Sequence, residues 1–230
     1  GCSAVSACVA TKTLSNSSVR SVITSTPTSC RSTARTGAEV RTALSRAVTD
    51  AGIRAVVSSV MIDHLDPADG EKQRPAALES LDRLADVGPL VTPGFAPHGI
   101  YTVSGESLRW IAETAADRRL PVQIHLAETE DEVSECVART GKSPARYLDE
   151  LGFLGPRTAL AHCVWVERED FELVAERGAT VVTNPAANMK LAVGRAFPYP
   201  EAAAAGVALG LGTDGVSSNS NLDMLEEVKL

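Results

Sequence analysis

The stretch "QIHLAETEDEV" (residues 123–133) joins two kinds of local structure at a single histidine. Pro121 to Ile124 are strand-compatible and run straight into His125, with Glu128 three positions on. The acids and small residues that follow read as the opening of a helix. The same switch recurs along the chain. Strand-like "IRAVVSSVMID" (53–63) precedes amphipathic "AALESLDRLADVG" (76–88), with Leu78, Leu81, Leu84 and Val87 on one face. "LVTPGFAPHG" (90–99) precedes the helical "GESLRWIAETAADRR" (105–119), and "LPVQIHLAE" (120–128) precedes helices at 130–140 and 144–151. "RTALAHCVWV" (157–166) leads to "EREDFELVAERG" (167–178), "ATVVTNPAANM" (179–189) to "FPYPEAAAAG" (197–206), and "VALGLGTDGVSSN" (207–219) to "LDMLEE". Six strand–helix units in strict alternation imply a parallel sheet.

Such a sheet is either open and doubly wound or closed into a barrel. No GxGxxG follows any strand, so nothing supports a dinucleotide site. His98, His125, His162, Asn184 and Asp214 each stand just past the apolar part of successive strands, at separations of 27, 37, 22 and 30 residues. Each separation is one strand–helix unit, so all five project at the same carboxyl end. An open sheet would spread them along a line, whereas a barrel gathers them at the face where active sites are built. A lone strand-end histidine is more often structural than catalytic. Three in succession, with a carboxylate at the matching place on the last strand, reverse that expectation. Histidine and aspartate suit a zinc-like ion with one position left open for water. His64, the fourth histidine, lies in a polar loop after a strand.

Composition sets the outer limits. A chain of 230 residues with 44% hydrophobic content can bury a substantial core, and with 4% aromatics that core must rest on Ala, Val, Leu and Ile. A net charge of -7 argues against nucleic acid or an anionic membrane as partner. No apolar run approaches the ~20 residues that span a bilayer. Five cysteines without a CxxC do not form a disulfide framework, and a cytoplasmic location is expected.

Residues 1–36 hold 16 Ser or Thr and three of the five cysteines, and the first acid is Glu39. Without apolar periodicity, this leader (1–38) is expected to have little stable structure, leaving 39–230 as the folded unit. A transit-like segment, an out-of-frame artefact and a linker all remain open for it. With no Met at position 1, a fragment is the expectation.

"APHGIYT", "IHLAETEDEV", "ALAHCVW", "TNPAANMKLA" and "LGTDGVSSNSNLDMLEE" together resemble the amidohydrolase superfamily over about residues 44–230. The likeness is closest to its branch of S-adenosylhomocysteine and 5′-methylthioadenosine deaminases, with s-triazine chlorohydrolases as relatives. It implies a (β/α)8 barrel and one divalent metal, zinc or alternatively iron. His125 and Asp214 would ligate the ion. Asp214 would also take a proton from water, and Glu128 would deliver one to the ring nitrogen of the substrate. His162 would hydrogen-bond the water or the substrate. His98 would contact the heterocycle and Ser218 the purine edge. Arg74, in the loop "DGEKQRPAAL", would meet an amino-acid carboxylate. Asn184 is assigned to holding loops, "NPAANMK" to a polar turn, and Asn219 or Asn221 to capping "LDMLEE".

The chain also departs from the family pattern. Trp165 stands where many members carry a histidine, and the strand-one HxH pair occurs nowhere in the sequence. The resemblance therefore implies an incomplete barrel of about six βα units, open at two edges and prone to self-association there. Hydrolytic deamination of an adenosine-type substrate is the expected family activity, with the chain inactive as given. Triazine dechlorination or deamination is the alternative within hydrolases. A non-catalytic remnant is the alternative outside them.

Overall fold

The computed structural model describes residues 8–11, 20–24 and 37–230, with side chains from Arg41 onward. Its eight strands close into a barrel in sequence order. The six expected strands are β3 (Ala55–Met61), β4 (Val91–Pro97), β5 (Val122–Leu126), β6 (Thr158–His162), β7 (Thr180–Thr183) and β8 (Ala208–Gly212). Neighbours among them pair in parallel. The expected open edges are not found. β1 (Cys8–Thr11) and β2 (Arg20–Thr24), both drawn from the Ser/Thr-rich leader, fill the gap between β8 and β3. β1 runs antiparallel to both of its neighbours. Among the described strands no edge is left unpaired, which removes the ground for self-association through open edges. The rest of the leader lies outside the described residues.

Alternation along each strand sorts the side chains into two layers. Phe95, Ile124, Leu160 and Val181 point outward and are fully or almost fully buried in the main core, against Leu108, Ile111, Leu148 and Phe171 of the helical ring. Val60, Ala96, Gln123, His125 and Ala161 face a small internal cavity instead. A second cluster of Val48, Ala55, Val57, Leu84 and Val91 packs the first helix, α1 (Gly37–Asp50), and its successor onto β3 and β4.

Several helices differ from the expectation. α2 begins at Pro67, not Ala76, and runs to Ala85. Asp66 caps it by accepting from the Ala68 N–H, Pro67 occupies the first turn, and Pro75 lies within the helix. Aspartate followed by proline is a complete start signal, so Arg74 rides on a helix and not in a loop. α3 (Gly105–Arg118), α4 (Glu130–Thr140), α5 (Pro144–Glu150) and α6 (Arg168–Glu176) follow as read. "PAANMK" forms a short helix, α7 (Pro185–Lys190), in place of the expected polar turn. α8 (Tyr199–Ala204) precedes β8, and α9 (Val216–Asn219) and α10 (Met224–Glu227) follow it. The cap of α10 is Asp223, whose carboxylate accepts from the Leu225 N–H at 2.8 Å. Asn221 sits two residues too early to cap and instead accepts from the Asp223 N–H. No described helix is long and apolar enough to cross a membrane.

Candidate active site

The carboxyl ends of β4, β5, β6 and β8 bring four of the expected residues together. The rings of His98 and His125 lie 5.0 Å apart, and those of His125 and His162 lie 5.3 Å apart. Nε2 of His162 stands 3.8 Å from a Glu128 carboxylate oxygen and 3.9 Å from one of Asp214. His125, His162 and Asp214 are buried.

Local backbone geometry makes this convergence possible. β4 and β5 pair at Phe95–Val122 and again at Gly99–His125, so β4 takes four steps where β5 takes three. The extra residue is a bulge, a device that re-aims side chains near sites, and it sets the His98 carbonyl against His125. Ala127, His162, Cys163 and Asp214 all have positive φ, between 47° and 68°. This left-handed conformation is costly for residues other than glycine, and it turns each strand end sharply at the mouth.

After β5 the turn is held by a capping box. Thr129 accepts from the Glu132 N–H, and the Glu132 carboxylate reaches back to the N–H groups of Ala127 and Glu128, both at 2.9 Å. This fixes the backbone that carries Glu128. The spacing Thr129-x-x-Glu132 was available in the sequence as a signal, but its acids were read only as a helix opening.

Electrostatics follow from burial. Desolvation, reinforced by the neighbouring histidines, pushes His98 down to about 3. Desolvation is also the largest influence on His125 and His162, and both are lowered. The Glu128 carboxyl is raised, chiefly by burial. Burial pushes Glu132 up to about 7 against the two N–H bonds it accepts. The three imidazoles are therefore neutral at pH 7, and each carries one proton whose place its partners decide.

Nδ1 of His125 lies 2.5 Å from the His98 carbonyl, which can only accept, so His125 is protonated there. Nδ1 of His162 lies 2.7 Å from Oδ1 of Asn188, whose amide nitrogen is directed to Thr183. Nδ1 of His98 lies 2.8 Å from the Thr102 hydroxyl, which itself donates to the Gly99 carbonyl. All three Nε2 atoms are left as bare lone pairs, and that of His162 stands beside two carboxylates. This group of acceptors calls for a cation or a donor-rich ligand. The hydrogen bond from His125 Nδ1 to a carbonyl is also the support that metal-ligating histidines use. The donor chemistry of His125 and Asp214 thus fits a divalent ion. The number of donors is short, since no three His, Cys, Asp or Glu among the described residues are placed to hold one.

The other expected residues lie further out. Arg74 packs its guanidinium over Trp110 at 5.2 Å, between α2 and α3, away from the histidine cluster. Ser218 is half-buried in α9, and its N–H donates to the Gly215 carbonyl. Trp165 donates to the Val193 carbonyl and is covered by Arg195 at 4.5 Å, forming a wall. His64 is exposed. Asn184 is buried against His162, its amide nitrogen 3.4 Å from Nδ1. Asn188 and Thr102 were missed because their contribution, fixing a ring tautomer, depends on contacts between separate turns.

The sequence profile of the amidohydrolase family matches residues 10–230. The chain belongs to the amidohydrolase family. It is 46% identical over 189 residues to a 5′-deoxyadenosine deaminase of Methanoregula boonei, covering 80% of this chain and 42% of that protein. It is 42% identical over 188 residues to a 5-methylthioadenosine/S-adenosylhomocysteine deaminase of Thermococcus kodakarensis, covering 81% and 44%. Among solved structures, an adenosine deaminase from Xanthomonas campestris with bound zinc superposes with a TM-score of 0.73 at 36% identity, covering 83% of this chain and 43% of that one. The chain thus spans less than half the length of these relatives.

Proposed function

We propose that this chain carries the acid–base half of a metal-dependent aminohydrolase acting on adenosine-type nucleosides. The observation that carries the reading is the mouth itself, where three neighbouring histidine rings gather and the His162 Nε2 meets two carboxylates. His125 and Asp214 would hold the ion, zinc being the metal bound in the Xanthomonas relative. Bound there, a divalent metal activates water as a nucleophile at neutral pH. Asp214 would accept a proton from the attacking water. Glu128, whose carboxyl is pushed up from its ordinary value chiefly by burial, would donate to the ring nitrogen beside the carbon attacked. A C–O bond would form; Asp214 would return its proton to the exocyclic amino group as the C–N bond breaks, the new hydroxyl would give its proton back to Glu128, and ammonia would leave. Neutral His162 accepts a hydrogen bond between the two carboxylates, and neutral His98 offers Nε2 to a substrate donor. Ser218 contacts the purine edge. Arg74 would reach an amino-acid carboxylate only by leaving Trp110, so a substrate without one, such as 5′-deoxyadenosine, suits the observed side chain better. Relatives at 42–46% identity carry names of adenosine-type deaminases, which favours deamination over triazine chemistry.

A catalytic zinc needs about three protein ligands, and two are secure here. We therefore infer that the 230-residue chain binds zinc poorly and does not turn over alone. The test replaces the matching segment of the Methanoregula deaminase with residues 44–230 and measures zinc content and ammonia release from 5′-deoxyadenosine, 5′-methylthioadenosine and S-adenosylhomocysteine. The chimera should release ammonia and its Glu128→Gln variant should not. A folded, zinc-loaded chimera silent on all three substrates would favour a non-catalytic remnant and sink the proposal.

A further inference from the structure

Glu227 ends a four-residue helix whose neighbours Leu225 and Val228 are 73% and 67% exposed, yet Glu227 itself is 1% exposed. A carboxylate is not buried without donors, because desolvation costs too much. Its two oxygens serve different elements. Oε1 accepts from the Asn219 amide at 2.5 Å, and Oε2 accepts from the Ala186 N–H at 3.0 Å.

Each contact leads to a different residue of the mouth. The same Asn219 nitrogen donates to the Thr213 carbonyl at 2.6 Å, the peptide oxygen just before Asp214. Asp214 holds φ at 57°, and its Oδ1 accepts from the Gly215 N–H at 2.8 Å. On the other arm, Ala186 offers a first-turn N–H of α7, a group that no helix satisfies internally. Two residues on, Asn188 of that helix accepts from His162 Nδ1 at 2.7 Å. The arms meet where His162 Nε2 faces Asp214 Oδ2 at 3.9 Å. The circuit is closed, and one buried carboxylate is its remote corner.

We propose that Glu227 is a positioning residue that holds Asp214 and His162 in mutual register while touching neither. The inference rests on the proposed acid–base roles of those two residues, but its geometry does not. Lys190 supplies a natural control. It ties α7 to the same turn from the solvent side, through the Ser217 carbonyl at 3.0 Å and the Ser220 hydroxyl at 2.8 Å. If α7 merely needs attachment to the last turns, losing Lys190 should matter as much as losing Glu227.

The experiment uses the 230-residue chain labelled with ¹⁵N and reads ring-nitrogen protonation and solvent exchange of the His162 Nδ1–H by long-range NMR spectra. Glu227→Gln keeps the volume but sets an NH2 against one of two donors. It should accelerate that exchange by about tenfold or more and mix the two tautomers, while Lys190→Met stays within about threefold of the parent. Asn219→Ala cuts only the Asp214 arm. It should shift the Gly215 amide resonance and leave His162 exchange within about threefold of the parent. Unchanged His162 exchange in Glu227→Gln, or an equal effect of Lys190→Met, overturns the proposal. Should Glu227→Gln fail to fold, an unmoved Gly215 resonance in Asn219→Ala overturns it instead. Ammonia is not measured, so failure of the deaminase reading would leave these outcomes interpretable.

Discussion

Replacing Glu132 by glutamine tests whether burial or hydrogen bonding governs the turn that carries Glu128. The Glu132 side chain is 4% exposed and accepts two backbone N–H bonds, which favour its charged form. Burial opposes them and wins, lifting the group from 4.5 to about 7. The sign follows from proton binding. Between these two values the folded chain holds a proton that the unfolded chain has released. Stability therefore falls as pH rises through this window, and the loss is complete above about pH 7. A shift of about 2.5 units corresponds to roughly 3 kcal/mol at about 1.4 kcal/mol per unit. Glutamine cannot ionise, so Glu132→Gln should abolish this contribution. It also turns an NH2 toward one of the two N–H groups, a cost of about 1–3 kcal/mol that does not vary with pH.

The measurement is urea unfolding of both proteins at pH 5, 6, 7 and 8. The parent should be the more stable at pH 5, and its advantage should shrink by about 2.5 kcal/mol by pH 8, the rest having gone below pH 5. The histidines and Glu128 titrate in both chains, so the difference isolates Glu132. A difference that stays constant with pH to within about 0.5 kcal/mol would refute the reasoning. It would mean that the charged form is stabilised after all. The cavity of about 170 Å³ that Glu132 lines with Tyr101, Cys136 and Arg139 could admit the water to do so.

Phe171→Ala empties a fully buried site that also meets Phe197 edge-on at 6.1 Å, and should lower unfolding free energy by about 3–5 kcal/mol in urea. Gly94→Ala would set a methyl group 2.8 Å from the Pro121 carbonyl oxygen, which belongs to backbone and cannot swing away. It should cost about 1–3 kcal/mol by the same assay, where a neutral result would show that β4 and β5 can spread. Thr102→Val deletes the acceptor of the His98 Nδ1–H while keeping the shape. NMR should then show His98 partly protonated at Nε2, with about 1 kcal/mol of stability lost.

The barrel was legible because its signal is repeated. Most strand segments show an apolar run closed by a polar residue, and the separation of one βα unit from His98 through Asp214 admits few other arrangements. Closure was not legible. Cys8–Thr11 and Arg20–Thr24 are four and five residues long, and they sit in a Ser/Thr-rich context that carries no alternation. Only pairing with β3 and β8 marks them as strands. The site divides in the same way. His98, His125, Glu128, His162 and Asp214 announced themselves by residue type and position. Arg74 was misplaced because Pro75 reads as a helix start, when Asp66 and Pro67 had already supplied one. Asn188, Glu132 and Glu227 were passed over because their task is to orient another side chain or a turn, and such a task shows only when distant turns are seen together.

That hidden set explains how an acceptor-only mouth can exist in a folded chain. Three neutral imidazoles and two carboxylates, gathered on backbone with positive φ, cost stability through desolvation and strain. No side chain of the cluster donates to another of its side chains, so the side chains do not offset the cost among themselves. The compensation comes from one layer further out. Thr102, the His98 carbonyl and Asn188 each take one ring proton, Glu132 takes two N–H groups of the β5 turn, and Asn219 with Glu227 holds the β8 turn. Every one of these bonds removes a donor from the mouth or fixes the backbone that carries an acceptor. In the proposed function, bare acceptors held in place would receive a cation and the protons of a substrate. The supporting residues are for that reason as much a part of the proposed chemistry as the histidines they orient.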